Sequence, residues 1–308
     1  MLLLSSGFLS LVPFFSVLFP FLVTYFISFR SEPGRHDGKR PYRDAPVEEL
    51  YPLKGSVSRL GKSKFPDAAS KHLWFIVFYK NDDAASQQVK PNIVKVAEVF
   101  KNTVKVGAVN CGKNAAEERF CQSKFGYSWD VPGYALVVDG RVIPYNTSSD
   151  TTKIPSSKSL HEFIMENIPF SLVLNVNRID QLNTRLIEPI CNTSEKQRIH
   201  KLGSIFLLSD KFETSTLYAS LAYSYRTKFL FGESRAKNLL LAKEFGVKKY
   251  PMIVALIPNC DHRAAPSSFK ERYHLMKYDG EIKGDNISKW IDGLIQKFDR
   301  SSKKQQKQ

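Results

Sequence analysis

The segment WFIVFYKNDDAASQQVKP, residues 74–91, decides the fold. Its first six residues end the apolar run HLWFIVFY (72–79), as expected of a strand buried on both faces. A short polar turn follows. Apolar side chains then recur at Val89, Ile93 and Val96, on one face of a helix that contains Pro91. The segment therefore predicts a buried strand, a turn and a helix in direct succession.

Strands and helices keep alternating through the first half of the chain. VKVGAVN (104–110) predicts a second buried strand, and NAAEERFCQSKF (114–125) predicts a helix. GYALVVDGRVIPY (133–145) predicts a hairpin around an Asp-Gly turn, and SKSLHEFIMENI (157–168) predicts a closing helix. This order is typical of an α/β domain with a partly parallel sheet and an antiparallel edge.

The second half repeats the order. Five apolar runs predict strands, and they lie at 170–176, 203–210, 227–234, 250–258 and 271–280. Three amphipathic stretches predict helices, and they lie at 213–226, 236–247 and 287–298. We therefore expect two successive units of one architecture, with a boundary near Pro169.

The ends of the chain differ from these two units. Residues 2–29 carry no charge, which predicts either a cleaved signal peptide or an uncleaved signal anchor over 1–30. The length favours an anchor, whereas Pro13 and Pro20 weaken a continuous helix. We therefore divide the chain into five parts, which are the signal segment 1–30, a linker 31–48, a first domain 49–168, a second domain 169–300 and a disordered basic tail 301–308.

Composition narrows the function classes. The 308 residues are 43% hydrophobic, and the net charge is +15. A basic chain favours anionic partners. However, the basic residues cluster at the two ends, and the sequence shows no zinc-finger spacing and no aromatic RNA-binding motif. We therefore expect no nucleic-acid partner.

The first domain resembles the thioredoxin-like domains of the protein disulfide isomerase family. The resemblance rests on WFIVFY, on the helix with Pro91, on FKNTVKVGAVN, and on FGYSWDVP leading into GYALVVDGRV. AKEFGVKKYPMIVAL carries a weaker resemblance in the second domain. The resemblance implies two tandem thioredoxin-like domains, each a mixed sheet flanked by helices. It also implies two cis-proline loops, at Val131–Pro132 and at Tyr250–Pro251.

The resemblance places the active-site cysteines of the family on Asp83 and Ser86, and neither residue can form a mixed disulfide. An aspartate at the start of a helix can instead cap it and interact with its positive end. The six histidines show no metal-ligand spacing. We therefore predict no Cys-x-x-Cys chemistry, no catalytic residue, no metal and no cofactor.

Four cysteines occur, two in each half of the chain, and they permit three connectivities. A structural Cys111–Cys121 bridge is favoured over free thiols, and Cys191–Cys260 is a second candidate pair. Three glycosylation sequons, at Asn146, Asn192 and Asn286, give weak support for a secretory route.

The resemblance implies a redox-inactive protein disulfide isomerase-like chaperone or adaptor. It would bind unfolded or partner polypeptides in the endoplasmic reticulum (ER) lumen, or at the ER membrane with luminal domains. An extended peptide would lie in a groove at each cis-proline loop, and Tyr127 and Trp129 would line the first groove. Two alternatives stay open. One is an unconventional oxidoreductase that uses Cys111 and Cys121. The other is an adaptor anchored in the membrane through residues 2–29, whose folded part the positive-inside rule places in the cytosol.

Overall fold

The computed structural model describes residues 48–125, 130–146, 154–191, 194, 199–260 and 273–305, with side chains described up to residue 298. These residues build two five-stranded sheets, one from each half of the chain. The hydrophobic segment 2–29 lies outside the described residues. No helix among the described residues combines the length and the apolar character needed to cross a membrane.

The first sheet has the strand order β1-β3-β2-β4-β5. Its strands are β1 (Ser58–Leu60), β2 (Trp74–Tyr79), β3 (Lys105–Asn110), β4 (Gly133–Val138) and β5 (Arg141–Pro144). The central strand β2 pairs parallel with β3 and antiparallel with β4. The predicted mixed sheet is thus confirmed. The short strand β1 was not predicted, because three residues carry too little pattern to separate a strand from a loop.

Three helices flank this sheet, namely α1 (Ala84–Val99), α2 (Ala115–Phe125) and α3 (Ser157–Asn167). Helix α1 continues through Pro91 and buries Val89 and Ile93 completely. Their spacing of four residues places both side chains on the face that packs against the sheet.

The second sheet has the order β10-β9-β7-β8-β6, the same arrangement as the first. Its strands are β6 (Val173–Asn175), β7 (Gly203–Ser209), β8 (Phe229–Arg235), β9 (Met252–Pro258) and β10 (Tyr273–Lys277). Strand β7 takes the central place of β2, parallel to β8 and antiparallel to β9. The structure is therefore an α/β fold of two thioredoxin-like domains, as expected.

The helices of the second domain show two departures from the predicted elements. They are α4 (Ile179–Leu182), α5 (Glu188–Cys191), α6 (Thr216–Ser224), α7 (Leu239–Phe245) and α8 (Gly284–Gln305), with a π-helical stretch Asn183–Ile187 that joins α4 to α5. The stretch 179–191 was not predicted, although Leu182, Leu186 and Ile190 recur every four residues and are buried. In addition, 170–172 form a 3-10 turn rather than the start of a strand.

The last helix also corrects the predicted tail. Helix α8 runs to Gln305, so 301–305 are helical and not part of a disordered segment. Lysine and glutamine are good helix formers, and basic side chains suit the negative end of a helix. Both effects favour continuing the helix into the polar end of the chain.

Two turns match their sequence signals. At the β4–β5 hairpin Asp139 and Gly140 have positive φ, of 52° and 73°. A Cβ on Gly140 would lie 2.8 Å from the backbone nitrogen of Ala68, so only glycine fits this close approach. Gly246 ends α7 with a φ of 61°, which is the left-handed conformation of a helix C-cap.

Contacts between the two domains centre on this hairpin and on α6. The Tyr223 side chain belongs to the core of the first domain, and its hydroxyl accepts a hydrogen bond of 2.8 Å from the backbone N–H of Asp139. The guanidinium of Arg226 lies 4.0 Å from the centre of the Tyr223 ring and 2.7 Å from the Asp139 carboxylate. It also donates to the carbonyl oxygens of Ala68 and Ser70. A helix of the second domain therefore completes the packing of the first.

Candidate functional site

The turn between β2 and α1 is closed by its own hydrogen bonds. The Asp83 carboxylate accepts a hydrogen bond of 2.6 Å from the backbone N–H of Ser86, and the Asp83 carbonyl accepts one from the N–H of Gln87. The Ser86 side chain is fully buried, and its hydroxyl oxygen accepts from the Lys80 N–H at 3.4 Å. Both positions thus hold polar groups that stabilise the start of the helix, and neither offers a thiol.

The Val131–Pro132 peptide bond lies beside this turn and is cis, as the resemblance implies. Gly133 pairs with Phe78 across the β2–β4 ladder, so Pro132 lies next to the carboxyl end of β2, where the turn begins. The predicted groove residues Tyr127 and Trp129 lie outside the described residues.

The second domain repeats this geometry with other side chains. Ser215 caps α6 by accepting a hydrogen bond of 3.2 Å from the Tyr218 N–H. The Tyr250–Pro251 peptide bond is cis, and Met252 pairs with Leu208 near the carboxyl end of β7. Ser215 therefore corresponds to Asp83, and Pro251 corresponds to Pro132. Ser215, like Asp83, offers no thiol at this position.

Tyr218 fills the place of Ser86 in the second domain. Its ring is buried, and its hydroxyl lies 3.0 Å from the carbonyl oxygen of Ile205 and 2.8 Å from that of Gly232. Burial raises the pKa of Tyr218 well above its ordinary value, and the nearby Glu233 carboxylate adds to the effect. The hydroxyl is therefore a neutral structural hydrogen-bond donor, and it fixes the ring in the wall of a neighbouring cavity.

A cavity of about 210 Å³ opens between α6, the start of β9 and the start of α8. Its walls are mainly apolar, and they are formed by Leu207, Leu217, Tyr218, Leu221, Pro251, Ile253, Ile282 and Ile287. The lining also includes polar residues, among them Lys211 and Glu213. A groove at Tyr250–Pro251 was expected, but the other walls of the cavity were not predicted, because they come from segments that are far apart in the sequence.

A second cavity of about 220 Å³, in the first domain, is polar. Its central group is Glu49, which accepts hydrogen bonds from Tyr79 and Asn110 and pairs with Arg59 at 2.9 Å. Partial burial acts to raise the pKa of Glu49. The hydrogen bonds from Asn110 and Tyr79 and the charges of Arg59 and Lys113 outweigh it, so the pKa lies below its ordinary value. A carboxylate held ionised in this way acts as a structural anchor.

All four cysteines of the chain form disulfides, in the pairs that the sequence suggested. Cys111 and Cys121 are joined with an S–S distance of 2.08 Å, and Cys191 and Cys260 with one of 2.02 Å. The side chains of Cys111 and Cys121 are fully buried in the first domain, whereas the second pair is half-buried. The two bridges therefore differ in their access to solvent.

The remaining predicted positions are scattered. Asn146 is exposed just after β5, and Asn286 is half-buried in the first turn of α8, whereas Asn192 lies outside the described residues. Across the described parts of the chain, His, Cys, Asp and Glu form no group of three or more that could hold a metal ion.

No protein-family profile matches the chain. Among curated proteins it is 22% identical, over 80% of its length, to a putative protein disulfide-isomerase of Dictyostelium discoideum. It is also 22% identical, over 75% of its length, to the DnaJ protein ERDJ3A of Oryza sativa subsp. japonica. The chain spans about half of the first relative (54%) and about a third of the second (36%).

Two solved structures are similar to the chain at low scores. A crystal structure of ERdj5, form II, gives a TM-score of 0.39 with 15% identity, over 80% of this chain and 30% of that chain. Form I of human ERp44 gives a TM-score of 0.31 with 13% identity, over 79% and 57% of the two chains. At such scores the fold assignment rests on the strand order of the two sheets. This strand order is that of two thioredoxin-like domains, and among curated proteins the chain is similar to a putative protein disulfide-isomerase.

Proposed function

We propose that the chain is a redox-inactive protein disulfide isomerase-like protein that binds unfolded or partner polypeptides in the ER lumen. The observation that carries the proposal is the second domain's apolar cavity beside Pro251. It lies at the helix start and proline loop where the family places its redox site, and its lining contains no cysteine.

Redox inactivity is supported by the state of every thiol in the chain. Asp83 and Ser86 occupy the two positions at which thiol–disulfide exchange requires cysteines. The four cysteines of the chain are paired in two disulfides. Exchange also needs access to a sulfur atom. The fully buried Cys111–Cys121 bridge does not provide that access in the native state.

Polypeptide binding is supported by the shape and chemistry of the cavity. Ligand sites are usually concave and mostly apolar, with a few polar groups at the margin. Phe212 lies between Lys211 and Glu213 in the sequence and is 89% exposed. Ile282, which also lines the cavity, is 44% exposed. An apolar side chain of a client would bury this surface, while its backbone lies along the Pro251 loop.

A luminal location is supported by the two disulfides, since such bridges persist in oxidising compartments. The curated relatives add support, because one is a putative protein disulfide-isomerase and the other a DnaJ protein named ERDJ3A. Attachment to the membrane through residues 2–29 remains a prediction. Protease protection combined with glycosidase treatment tests it, because a glycan on Asn146, Asn192 or Asn286 is incompatible with a cytosolic adaptor.

The direct test combines a redox assay with a binding assay. We expect no insulin reduction above background, and we expect suppression of the aggregation of a chemically denatured protein. Ile282→Arg places a charge at the cavity mouth and should weaken suppression. Leu275→Arg, at a similarly exposed position (40%) on β10, is the matched control and should have no effect. Equal activity of both variants would rule out the cavity as the binding site.

The oxidoreductase alternative has one observation in its favour. The Cys111 N–H donates a hydrogen bond of 2.8 Å to the carbonyl of Tyr79, so the first disulfide begins at the edge of the sheet that carries the turn. Thiol labelling in glutathione buffers decides the question. A Cys111–Cys121 bridge that cycles in the folded protein, together with reductase activity lost in Cys111→Ala, would replace our proposal.

A further inference from the structure

Two adjacent leucines at the start of α7 are almost completely exposed. Leu239 and Leu240 each expose 75% of their surface, whereas Leu241, the next residue, is fully buried. Exposed single leucines are common on protein surfaces, but an adjacent pair at this exposure is a candidate contact surface.

The first domain shows what covers the corresponding position. Phe125 and Phe245 each precede a glycine, and they pack on Phe78 of β2 and Phe206 of β7. Counting back from these two phenylalanines aligns the buried Cys121 with Leu241 and aligns Phe120 with Leu240. Phe120 and Leu240 therefore occupy equivalent positions on the two helices.

In the first domain a segment of the chain itself covers this position. The ring of Phe65 lies 5.1 Å from that of Phe120 in an edge-to-face contact, and the Lys124 ammonium lies within 5.4 Å of both rings. In the second domain the connection between β6 and β7 forms the helical stretch 179–191. That stretch packs on Leu241 and Phe245 and leaves Leu240 uncovered.

The stretch of chain around the two leucines is basic. The segment 236–251 contains four exposed lysines and one acidic residue, Glu244. The lysines are Lys237, Lys243, Lys248 and Lys249, and the last two lead directly into the Tyr250–Pro251 loop. We call Leu239, Leu240 and these four lysines the leucine–lysine surface. A partner with complementary charge would therefore carry acidic residues.

We propose that the leucine–lysine surface binds a polypeptide segment in which an aromatic or aliphatic side chain is flanked by acidic residues. The apolar side chain covers Leu240 as Phe65 covers Phe120, and the acidic residues pair with the lysines. This inference rests on the proposed client-binding function and adds the chemistry of the client. The chain's own segment 30–43 does not fit, because its five basic residues outnumber its two acidic ones, Glu32 and Asp37.

The test uses the full chain and three fluorescent peptides that share one Phe-Leu core, with aspartate, serine or lysine flanks. Fluorescence anisotropy should give the tightest binding for the aspartate peptide and the weakest for the lysine peptide. Added salt should reduce the difference, because it screens exposed charges. Equal affinities for the three peptides would overturn the proposal.

Variants locate the surface. Leu239→Ser with Leu240→Ser should weaken binding of the aspartate peptide by about tenfold or more, as expected for a central apolar contact. Leu53→Ser, at an exposed leucine of the first domain, is the matched control and should leave affinity unchanged. Lys248→Glu with Lys249→Glu should reverse the order of the aspartate and lysine peptides.

The outcomes separate the two proposals. If the double-serine variant binds the aspartate peptide like the wild type while Ile282→Arg still impairs aggregation suppression, this inference fails and the proposed function stands. If the wild-type chain neither binds peptides nor suppresses aggregation, both fail. Binding to phosphatidylserine vesicles, lost in the double-serine variant and without peptide binding, would identify a lipid surface instead and overturn the inference.

Discussion

Removal of the Cys191–Cys260 disulfide should destabilise the second domain strongly. The two cysteines are 69 residues apart, and the bridge links the end of α5 to the residues after β9. In the chain-entropy description, a closed loop of that length lowers the entropy of the unfolded chain enough to stabilise the fold by about 4.4 kcal/mol. The same relation gives about 2.7 kcal/mol for Cys111–Cys121, which are 10 residues apart.

The assay is urea unfolding of the double variant Cys191→Ala with Cys260→Ala. Tryptophan fluorescence, to which Trp290 beside Tyr278 contributes from the second domain, follows the transition. The expected result is a lower midpoint and a loss of about 4 kcal/mol in the free energy of unfolding. A loss below about 1 kcal/mol would falsify the loop-entropy reasoning, because the unfolded chain would then be restricted by something other than this bridge.

Because the two bridges differ in burial, they should also differ in how readily they are reduced. In dithiothreitol under native conditions, the half-buried Cys191–Cys260 pair should be reduced first, and the fully buried Cys111–Cys121 pair should be reduced only when the first domain opens. Alkylation followed by mass spectrometry measures the order. Reduction of both bridges at one rate would show that the first domain opens more readily than its burial indicates.

Four further variants test the rest of the structure. Replacement of both Asp83 and Ser86 by cysteine should create a disulfide that dithiothreitol reduces, whereas Asp83→Ala alone removes the helix cap and should cost about 1 kcal/mol of stability. Arg226→Ala removes an ion pair, three hydrogen bonds to carbonyl oxygens and a ring contact near the domain interface, so we expect a loss of about 2 kcal/mol by calorimetry. Because the pKa of Glu49 is lower in the folded chain than its ordinary value of 4.5, its contribution to stability is present above that pH and is lost as the pH falls through the folded pKa. The stability difference between wild type and Glu49→Gln should therefore shrink in acid, and a difference that is constant with pH would contradict the assignment.

Local signals in the sequence predicted most of the fold. The apolar run 72–79, the Asp139–Gly140 turn and the glycine after α7 are local signals, and the structure confirms a strand at 74–79 and both turns. Hydrophobic period and turn chemistry are local properties, so one sequence is sufficient to interpret them. The stretch 179–191 was not predicted, although its apolar residues also recur every four positions, which is a local signal.

The parts that could not be predicted depend on contacts between distant residues. The resemblance implied a groove at Pro251, but nothing in the segments of Leu221 and Ile282 indicates that these side chains meet there. The exposure of Leu240 could not be predicted either, because the sequence does not show which helix positions a neighbouring segment covers. The resemblance placed Asp83 at the start of α1, but the full burial of Ser86 became evident only in the folded chain.

The contact between Tyr223 and the core of the first domain has a practical consequence for dividing the protein into single-domain fragments. The predicted boundary at residue 168 separates the two sheets, yet a fragment that ends there would lack Ala219 and Tyr223, which the first core contains. The Asp139 amide would lose its acceptor, and the apolar side chains beneath Tyr223 would meet water. The second domain alone would carry the same two side chains as an apolar surface prone to self-association. The two sheets are repeats in topology, but they are not separable modules for expression or for transfer into another protein.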